Sequence, residues 1–227
     1  MTLLGLSKRA GPALLLQRAW QQVWLDKDFL CLRCDLSRLP DRLRAKVQTE
    51  MRPLDLADFD GFEREFELTR GADAVEVYAR ERLRQAGVET AYVARDPQDV
   101  PMYVQWLVTA ETQARLHDFQ PERYRRLEAE EALIEGAYTF TRFRGLGLMA
   151  ASQYQLLELA RERGVKRVWT YVGVDNAPSL KGCARTGFVP DHVRRNQRRL
   201  GSMRTEFTAL TPAVSSFWNM TASTSAA

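Results

Sequence analysis

Two glycines, Gly145 and Gly147, stand one residue apart where a strand pattern gives way to a helix pattern. Residues 132–140 before them are apolar and aromatic, which predicts a strand. Residues 148–163 after them are rich in helix formers, with apolar side chains at helical spacing. Glycine in such a turn allows positive φ and leaves no Cβ to hold a ligand away from the backbone. The N–H groups of the turn and of the first helical turn then converge on one point, which predicts a phosphate-binding site.

Two kinds of phosphate ligand compete for this turn. Residues 145–150 satisfy the G-x-G-x-x-A pattern of dinucleotide-binding units. That interpretation requires an apolar strand that runs directly into the first glycine and an acidic residue about 20 residues further on. Here Arg142 and Arg144 interrupt the approach, and Asp175 comes later than the rule expects. A pyrophosphate held with the help of flanking arginines fits these residues better.

Arg142, Gly145 and Gly147 form an Arg-x-x-Gly-x-Gly run, and a second block follows downstream. It begins with a buried-strand pattern at residues 168–172 and continues as a helix. The marker residues of this block are Asn176, Ser179, Gly187 and Phe188. Together the two blocks resemble the R/Q-x-x-G-x-G/A turn and the Asn-x-x-Ala-x-x-x-Tyr…Gly-Phe helix of the GNAT superfamily of acyl-CoA-dependent N-acyltransferases. The resemblance covers about residues 46–210 and implies an α/β fold, with a mixed, mostly antiparallel central sheet flanked by helices.

Outside residues 46–210 the sequence predicts two appendages. Residues 1–45 are predicted to form an N-terminal helix–strand extension, with a helix at about 12–25 and a strand at 29–36. One face of this helix is apolar and is predicted to pack on the main domain, with a dimer contact or a membrane surface as the alternatives. That face comprises Leu16, Ala19, Trp20, Val23 and Trp24. Residues 211–227 are rich in Ser, Thr and Ala, and we expect a disordered tail.

The composition is that of an ordinary globular protein, with 227 residues, 45% hydrophobic and 27% charged. A net charge of +4 is too mild to indicate nucleic acid. No apolar run approaches the roughly 20 residues that cross a bilayer, and no convincing signal-peptide cleavage site follows the N-terminus, so we expect a cytoplasmic protein without a membrane span. Cys31 and Cys34 have C-x-x-C spacing, but His117 and His192 are the only histidines and no second pair completes a zinc site. We therefore expect no metal.

The resemblance implies acetyl-CoA, or another acyl-CoA, as the co-substrate. Backbone N–H groups around residues 144–148 would hold its pyrophosphate. Residues 137–139 would line the pantetheine arm, and one of their N–H groups would polarise the thioester carbonyl. The asparagine of the second block would contact the arm or cap its helix. The residues assigned to the donor are Ala137, Tyr138, Thr139, Arg142, Arg144, Gly145, Leu146, Gly147, Leu148 and Asn176.

The acceptor amine must lose a proton, and the departing thiolate must gain one. Glu135 is the first candidate base, because several relatives carry a glutamate on the same strand; Glu131 and Glu111 are alternatives. Many relatives place a tyrosine seven residues after the helix asparagine as the acid, and here that position is Cys183. A thiol with a pKa near 8.5 could serve as the acid. Alternatively, Cys183 is a small buried residue and solvent protonates the thiolate.

Two charged clusters bear on the acceptor. An acidic run could receive a polyamine or aminoglycoside, although a solvated helix face is the simpler interpretation; it comprises Glu63, Glu65 and Glu67. An arginine cluster could guide an acidic partner such as the 3′-phosphate of coenzyme A, a carrier protein or an aminoacylated RNA, although a solvated hairpin is simpler. It comprises Arg194, Arg195, Arg198, Arg199 and Arg204. Aromatic residues for base stacking are not interleaved with these arginines, so a nucleic-acid partner is not expected.

These patterns predict an N-acyltransferase that moves an acyl group, acetyl first, from coenzyme A to a primary amine on a small molecule or peptide. A direct ternary complex is expected, because no nucleophile paired with a base is visible. The alternatives are a non-catalytic acyl-CoA-binding regulatory module, and the same fold acting on a carrier-protein or aminoacyl-tRNA substrate. The sequence leaves a homodimer open.

Overall fold

The computed structural model describes residues 3–55, 58–88 and 90–223, and its centre is one sheet flanked by helices. The strands are β1 (Trp24–Asp35), β2 (Glu50–Pro53), β3 (Ala91–Arg95), β4 (Pro101–Thr109), β5 (Glu131–Thr139), β6 (Arg167–Gly173), β7 (Val189–Arg199) and β8 (Ser202–Ala209). The helices are α1 (Leu3–Ala10), α2 (Pro12–Val23), α3 (Phe59–Leu68), α4 (Gly71–Gln85), α5 (Gln113–Phe119), α6 (Leu148–Glu162), α7 (Ala177–Arg185) and α8 (Pro212–Ser223). Short 3₁₀ helices lie at Leu36–Arg38 and Thr141–Phe143.

The sheet has eight strands in the order β2-β3-β4-β5-β6-β1-β7-β8. Neighbouring strands are antiparallel except for β5 and β6, which run parallel. The sheet is therefore mixed and mostly antiparallel, as predicted. The strand and helix predicted on either side of the glycine turn are β5 and α6, so the local pattern placed both elements correctly.

Two hydrophobic clusters cover the two faces of the sheet. On one face, side chains of α1, α3 and α4 pack against strand residues such as the buried Trp106. On the other face, α6, α7 and α8 pack against strand residues such as Leu107 and Ile134. Alternation along β4 sends Trp106 to one cluster and Leu107 to the other, as a strand buried on both faces requires.

Strand β1 belongs to the N-terminal extension, yet it lies inside the sheet between β6 and β7. It pairs with β6 from Phe29 opposite Gly173 to Asp35 opposite Arg167. Leu30, on this strand, is completely buried. The predicted boundary at residue 45 stays a prediction, but the extension shares both the sheet and the core with the rest of the chain.

The apolar face of α2 is exposed, so its predicted packing on the main domain is wrong for the chain on its own. Leu16 is 72% exposed and Trp20 is 63% exposed. The helix is rotated so that Leu14 and Leu15 contact the core instead. Hydrophobic spacing identified the helix but not the side that the sheet would cover.

The C-terminal segment differs from the predicted disordered tail, since residues 212–223 form α8. Trp218 is only 6% exposed and belongs to the same cluster as Leu180 of α7. The Ser, Thr and Ala content of the tail concealed this apolar face. Residues 224–227, which the same prediction covered, lie outside the described part of the chain.

The cysteine pair of β1 is buried, and burial raises the pKa of the Cys34 thiol to about 12. Within the described ranges, no group of three or more His, Cys, Asp or Glu side chains is arranged to hold a metal ion. None of the helices in those ranges is long and apolar enough to cross a membrane.

Candidate active site

Strands β5 and β6 diverge after a short parallel pairing. Residues 131–133 of β5 pair with residues 167–169 of β6, whereas the strands continue to Thr139 and Gly173. Two cavities open beyond the pairing. One, of about 570 Å³, is lined by the glycine turn and is called here the turn cavity. The other, of about 560 Å³, contains Glu135 in its wall and is called the Glu135 cavity.

The two cavities are neighbours, because they share part of their walls. The shared residues are Glu76, Arg80, Ala137, Met149, Asn176, Pro178 and Ser179. They come from α4, β5, α6 and the start of α7, so the junction lies where the sheet opens. A long ligand that entered at the glycine turn would reach the Glu135 cavity through this junction.

The glycine turn has the geometry that the sequence predicts. Gly145 and Gly147 have φ of 79° and 76°, a region that side-chain-bearing residues rarely adopt. Gly147 is the N-cap of α6, and no described side chain caps this helix end. The N–H groups of the first turn are therefore available to an anion.

Arg144 lines the turn cavity and forms a bidentate pair with Asp73 of α4, at 2.7 and 3.1 Å. Arg142 and Leu146, also predicted to contact the donor, line neither cavity. The Arg142 guanidinium lies 4.6 Å from the ring of its neighbour Phe143. The Leu146 carbonyl accepts a hydrogen bond from the backbone of Lys46. Donor contacts by these two residues stay predictions.

Strand β5 contains a β-bulge at Gly136. Its pairing with β4 shifts by one residue between Val104 opposite Tyr138 and Trp106 opposite Glu135. Gly136 has a φ of 67°, and a Cβ there would lie 2.8 Å from the Trp106 ring. The bulge takes backbone groups of β5 out of the ladder at the junction of the cavities.

Arg80 of α4 binds this bulge from the side. Its Nε donates to the Gly136 carbonyl at 3.2 Å, and its Nη2 donates to the Ala137 carbonyl at 2.8 Å. The side chain is 15% exposed and also pairs with Glu76 one turn earlier. Arg80 therefore fixes the orientation of two successive peptide groups in the wall of both cavities.

Glu135 is half-buried in the wall of its cavity and interacts with the hydroxyl of Tyr124. Tyr124 is 8% exposed; burial first, and then the negative charge of Glu135, raise its pKa well above the usual value. The phenol therefore stays protonated and can donate to the carboxylate.

The alternative bases lie elsewhere. Glu131 is buried and pairs with Arg167 at 3.0 Å, and Glu111 is exposed and accepts from the Thr109 hydroxyl at 3.2 Å. Neither lines either cavity. Of the three glutamates considered, only Glu135 lines one of the two cavities.

Cys183 is completely buried behind the Glu135 cavity. Gln153 donates a hydrogen bond to its Sγ at 3.7 Å, and burial raises the pKa of the thiol to about 12. The thiol is protonated at neutral pH but has no exposed surface. Its role as proton donor stays a prediction, and the interpretation as a small buried residue accounts for its surroundings.

Asn176 caps α7, because its Oδ1 accepts from the Ser179 N–H at 3.2 Å. The capping interpretation is thus confirmed. Asn176 also lines both cavities, so the cap places its amide at their junction.

Some members of the two charged clusters form contacts within the protein. Arg195 pairs with Asp28 at 2.8 Å and Arg199 pairs with Asp26 at 3.0 Å, both across to β1. In the acidic run, Glu65 is buried and accepts from the Tyr138 hydroxyl at 3.0 Å. The two ion pairs offset two of the five arginine charges, and the tyrosine hydroxyl binds Glu65 inside the fold.

Comparison with known structures places this architecture in the class of GNAT acetyltransferase folds. A GCN5-related glucosamine N-acetyltransferase region of a fungal multi-domain β-N-acetylglucosaminidase matches 80% of this chain and 22% of its own, at 14% identity and a TM-score of 0.57. A GNAT-family acetyltransferase from Colwellia psychrerythraea matches 86% of this chain and 62% of its own, at 12% identity and a TM-score of 0.52. The chain therefore spans less than two thirds of either structure, and at these identities the likeness shows the fold alone.

Sequence comparison agrees. Residues 108–188 match the family model of the acetyltransferase (GNAT) family, and that segment contains β5, the glycine turn, α6, β6 and α7. No curated protein sequence matches the chain at a significant level. This segment, about a third of the chain, is therefore similar to the acetyltransferase (GNAT) family in sequence as well as in fold.

Several residues that line the cavities could not be predicted from the sequence, because they come from distant parts of the chain. They are Lys27, Phe29, Arg80, Arg123 and Tyr124 in the Glu135 cavity, and Lys181 and Arg185 in the turn cavity. In the sequence, Glu76 and Arg80 indicate only an i,i+4 ion pair on a solvated helix. No local signal distinguishes that pair from one beside a bulge.

Proposed function

We propose that this protein transfers an acyl group, acetyl in the first instance, from coenzyme A to a primary amine in a direct ternary complex. The observation that carries the proposal is the pair of adjoining cavities at the divergence of β5 and β6. An uncapped helix N-terminus lies in the wall of one cavity and a carboxylate in the wall of the other. Donor and acceptor could therefore meet at the junction without a covalent enzyme intermediate.

The acyl-CoA would place its pyrophosphate on the N–H groups from Arg144 to Leu148, with its arm along residues 137–139. Lys181 and Arg185, which are exposed in the same cavity, would add positive charge beside the phosphates. The thioester carbonyl would lie at the bulge, where a backbone N–H can stabilise the negative charge that develops on oxygen.

In the reaction, the amine nitrogen attacks the thioester carbon and its surplus proton passes to Glu135, directly or through water. The C–S bond then breaks, and the coenzyme A thiolate takes a proton from Cys183 or from solvent. Tyr124 would hold the Glu135 carboxylate in position through its hydroxyl. Each of these residue roles is part of the proposal.

The test is release of free coenzyme A from acetyl-CoA in the presence of a panel of primary amines, with each product identified by mass. Glu135→Gln should lower kcat by about 10²- to 10⁴-fold, the usual contribution of a general base, with little change in acetyl-CoA binding. Glu111→Gln is the matched control, because Glu111 is exposed and lines neither cavity. Equal rates for wild type and Glu135→Gln would remove Glu135 from the mechanism.

The burial of Cys183 favours one second candidate, a module that binds acyl-CoA without transferring the acyl group. The same assay distinguishes the two. Binding of acetyl-CoA with no acylated product from any amine would support the binding module and contradict the transferase.

A further inference from the structure

The charged side chains that line the Glu135 cavity balance, three cations against three carboxylates, and a further cation, Arg194, lies behind the aromatic wall. Lys27 lies 3.6 Å from Asp175, and Arg80 pairs with Glu76, so these four residues neutralise one another.

Apart from these two pairs, three charged groups lie near Tyr124, with Glu135 and Arg123 in the cavity wall and Arg194 behind it. Arg123 precedes Tyr124 in the chain, the Cζ of Arg194 lies 5.5 Å from the Tyr124 ring centroid, and Glu135 lines the same cavity as Tyr124. The charges of all three groups act on the Tyr124 hydroxyl. Two positive charges against one negative charge leave a surplus of one positive charge. A purely cationic acceptor would increase that surplus, whereas an acceptor that also carries a carboxylate would remove it.

The burial of Arg194 is the stronger evidence for an anionic group on the acceptor. Burying a cation costs free energy unless an anion lies nearby. Arg194 is 3% exposed, and its Cζ lies 4.4 Å from the ring centroids of both Phe29 and Tyr171 and 5.5 Å from that of Tyr124. All three rings line the Glu135 cavity. Arg194 donates to the carbonyl oxygen of Arg123, and among the described residues its Nε has no hydrogen-bond partner.

Arg123 is the cation that an acceptor could touch. It lines the cavity and is partly exposed, and its Nη1 donates only a long hydrogen bond, 3.3 Å, to the Gln120 amide. No carboxylate of the described residues forms an ion pair with Arg123. Its guanidinium therefore retains donors in the fork geometry that a carboxylate matches.

The acidic run on α3 gives no competing acceptor site in this cavity. Glu63 and Glu67 line a separate surface depression together with Asp60 and Arg64. A polyamine attracted there would remain outside the cavity that contains Glu135.

We propose that the acceptor is an amino acid or a similar amine that bears a carboxylate, with the amine at Glu135 and the carboxylate at Arg123. Arg194 strengthens the positive potential behind the aromatic wall, so it acts as a positioning charge. This inference rests on the proposed transferase function and narrows its acceptor class. A cavity of about 560 Å³ is large enough for such a compound beside the end of the donor arm.

The test uses substrate pairs that differ only by the carboxylate, namely phenylalanine with phenethylamine, tyrosine with tyramine, and lysine with cadaverine. In each pair the amino acid should have the higher kcat/KM, by about tenfold or more, as expected for one charge-assisted hydrogen-bonded pair. Arg123→Gln should raise KM for the amino acid by a similar factor and leave the values for the decarboxylated amine unchanged. Arg126→Gln is the matched control, since Arg126 is exposed in the same segment and lines neither cavity.

The experiment distinguishes failure of the carboxylate inference from failure of the proposed transferase function. Preference for the decarboxylated amines, or an equal effect of Arg123→Gln on both members of a pair, would overturn the carboxylate inference and leave the transferase intact. Binding of acetyl-CoA without transfer to any amine would overturn the proposed function and this inference with it.

Discussion

Arg80 connects α4 to the two carbonyl groups of the β5 bulge, and its effect can be measured at the scale of one side chain. Arg80→Lys keeps the positive charge but cannot bind both carbonyls in the same planar geometry. We expect the free energy of unfolding to fall by about 1–2 kcal/mol, the worth of one or two partly buried hydrogen bonds. The bulge N–H should lose its orientation as well, so kcat should fall more than the affinity for acetyl-CoA.

Arg82→Lys is the control for Arg80, because Arg82 is exposed on the same helix. Urea unfolding and steady-state kinetics on the two variants give the comparison. If Arg80→Lys behaves like Arg82→Lys in both measurements, the bulge does not depend on Arg80.

The lowered pKa of the Glu131 carboxyl predicts that the free energy of unfolding depends on pH. Burial alone would raise the pKa of its carboxyl, but the Glu128 N–H and the cations of Arg125 and Arg167 outweigh burial and lower the pKa below its ordinary value of 4.5. A lowered folded-state pKa means that the charged form stabilises the fold above pH 4.5 and that this contribution is lost as the pH falls through the lower value.

Glu131→Gln should therefore cost about 2–3 kcal/mol at pH 7, less than a fully buried pair because both arginines are partly exposed. The difference from wild type in urea unfolding should shrink toward pH 3. A cost that is the same at both pH values would show that lost packing, not lost charge, is responsible.

The residues of the glycine turn could be predicted from the sequence because their requirement is local. Gly145 and Gly147 adopt positive φ within a turn of a few residues, and the adjoining strand and helix patterns set the context. Arg123 and Arg194 could not be predicted as a pair, since β7 and the segment before β5 meet only in the folded sheet. For Cys183 the spacing of seven residues from Asn176 can be read from the sequence, whereas its complete burial depends on packing between α6 and α7. Its role in the reaction stays a prediction.

At the scale of elements, α8 buries its tryptophan, Trp218, whereas α2 leaves Trp20 exposed to solvent. Trp218→Ala should lower the free energy of unfolding by about 3 kcal/mol, because a buried indole is removed from the cluster on α7. Trp20→Ala, which removes an indole that is 63% exposed, should change it by less than about 0.5 kcal/mol. Thermal or urea unfolding of the two variants measures both values, and a larger loss for Trp20→Ala would contradict the described packing of the two helices.

Periodicity predicted a helix at about 12–25, close to the observed α2 (Pro12–Val23), but not its orientation, and it did not predict α8. The apolar spacing of α2 does not reveal that Leu14 and Leu15 contact the core while Leu16 is exposed. In α8 the large apolar residues stand among Ser, Thr and Ala, and this composition indicated a disordered tail instead of a helix. The orientation of α2 and the formation of α8 both depend on burial against elements that are remote in sequence.

At the scale of the whole molecule, the mixed sheet followed from the two motif blocks, whereas the strand order did not. The position of β1 between β6 and β7 brings Phe29 into the Glu135 cavity, so the N-terminal segment contributes to the wall of that cavity. A strand pattern states that a segment will pair but not with which partners. The Glu135 cavity is accordingly the part of the candidate site that the sequence predicted least.

The most direct measurement compares the melting temperatures of wild type, Gly147→Glu and Gly164→Glu with and without acetyl-CoA. Gly164 is the matched control, since it has a φ of 83° at the other end of α6 and open space around it, so its variant carries the same charge and similar backbone strain. At about 100 times the dissociation constant, acetyl-CoA should stabilise wild type and Gly164→Glu by roughly 2.7 kcal/mol. It should leave Gly147→Glu unchanged, because the carboxylate would occupy the anion site. An equal shift in all three proteins, or none in wild type, would contradict the assignment of the glycine turn to the acyl-CoA donor.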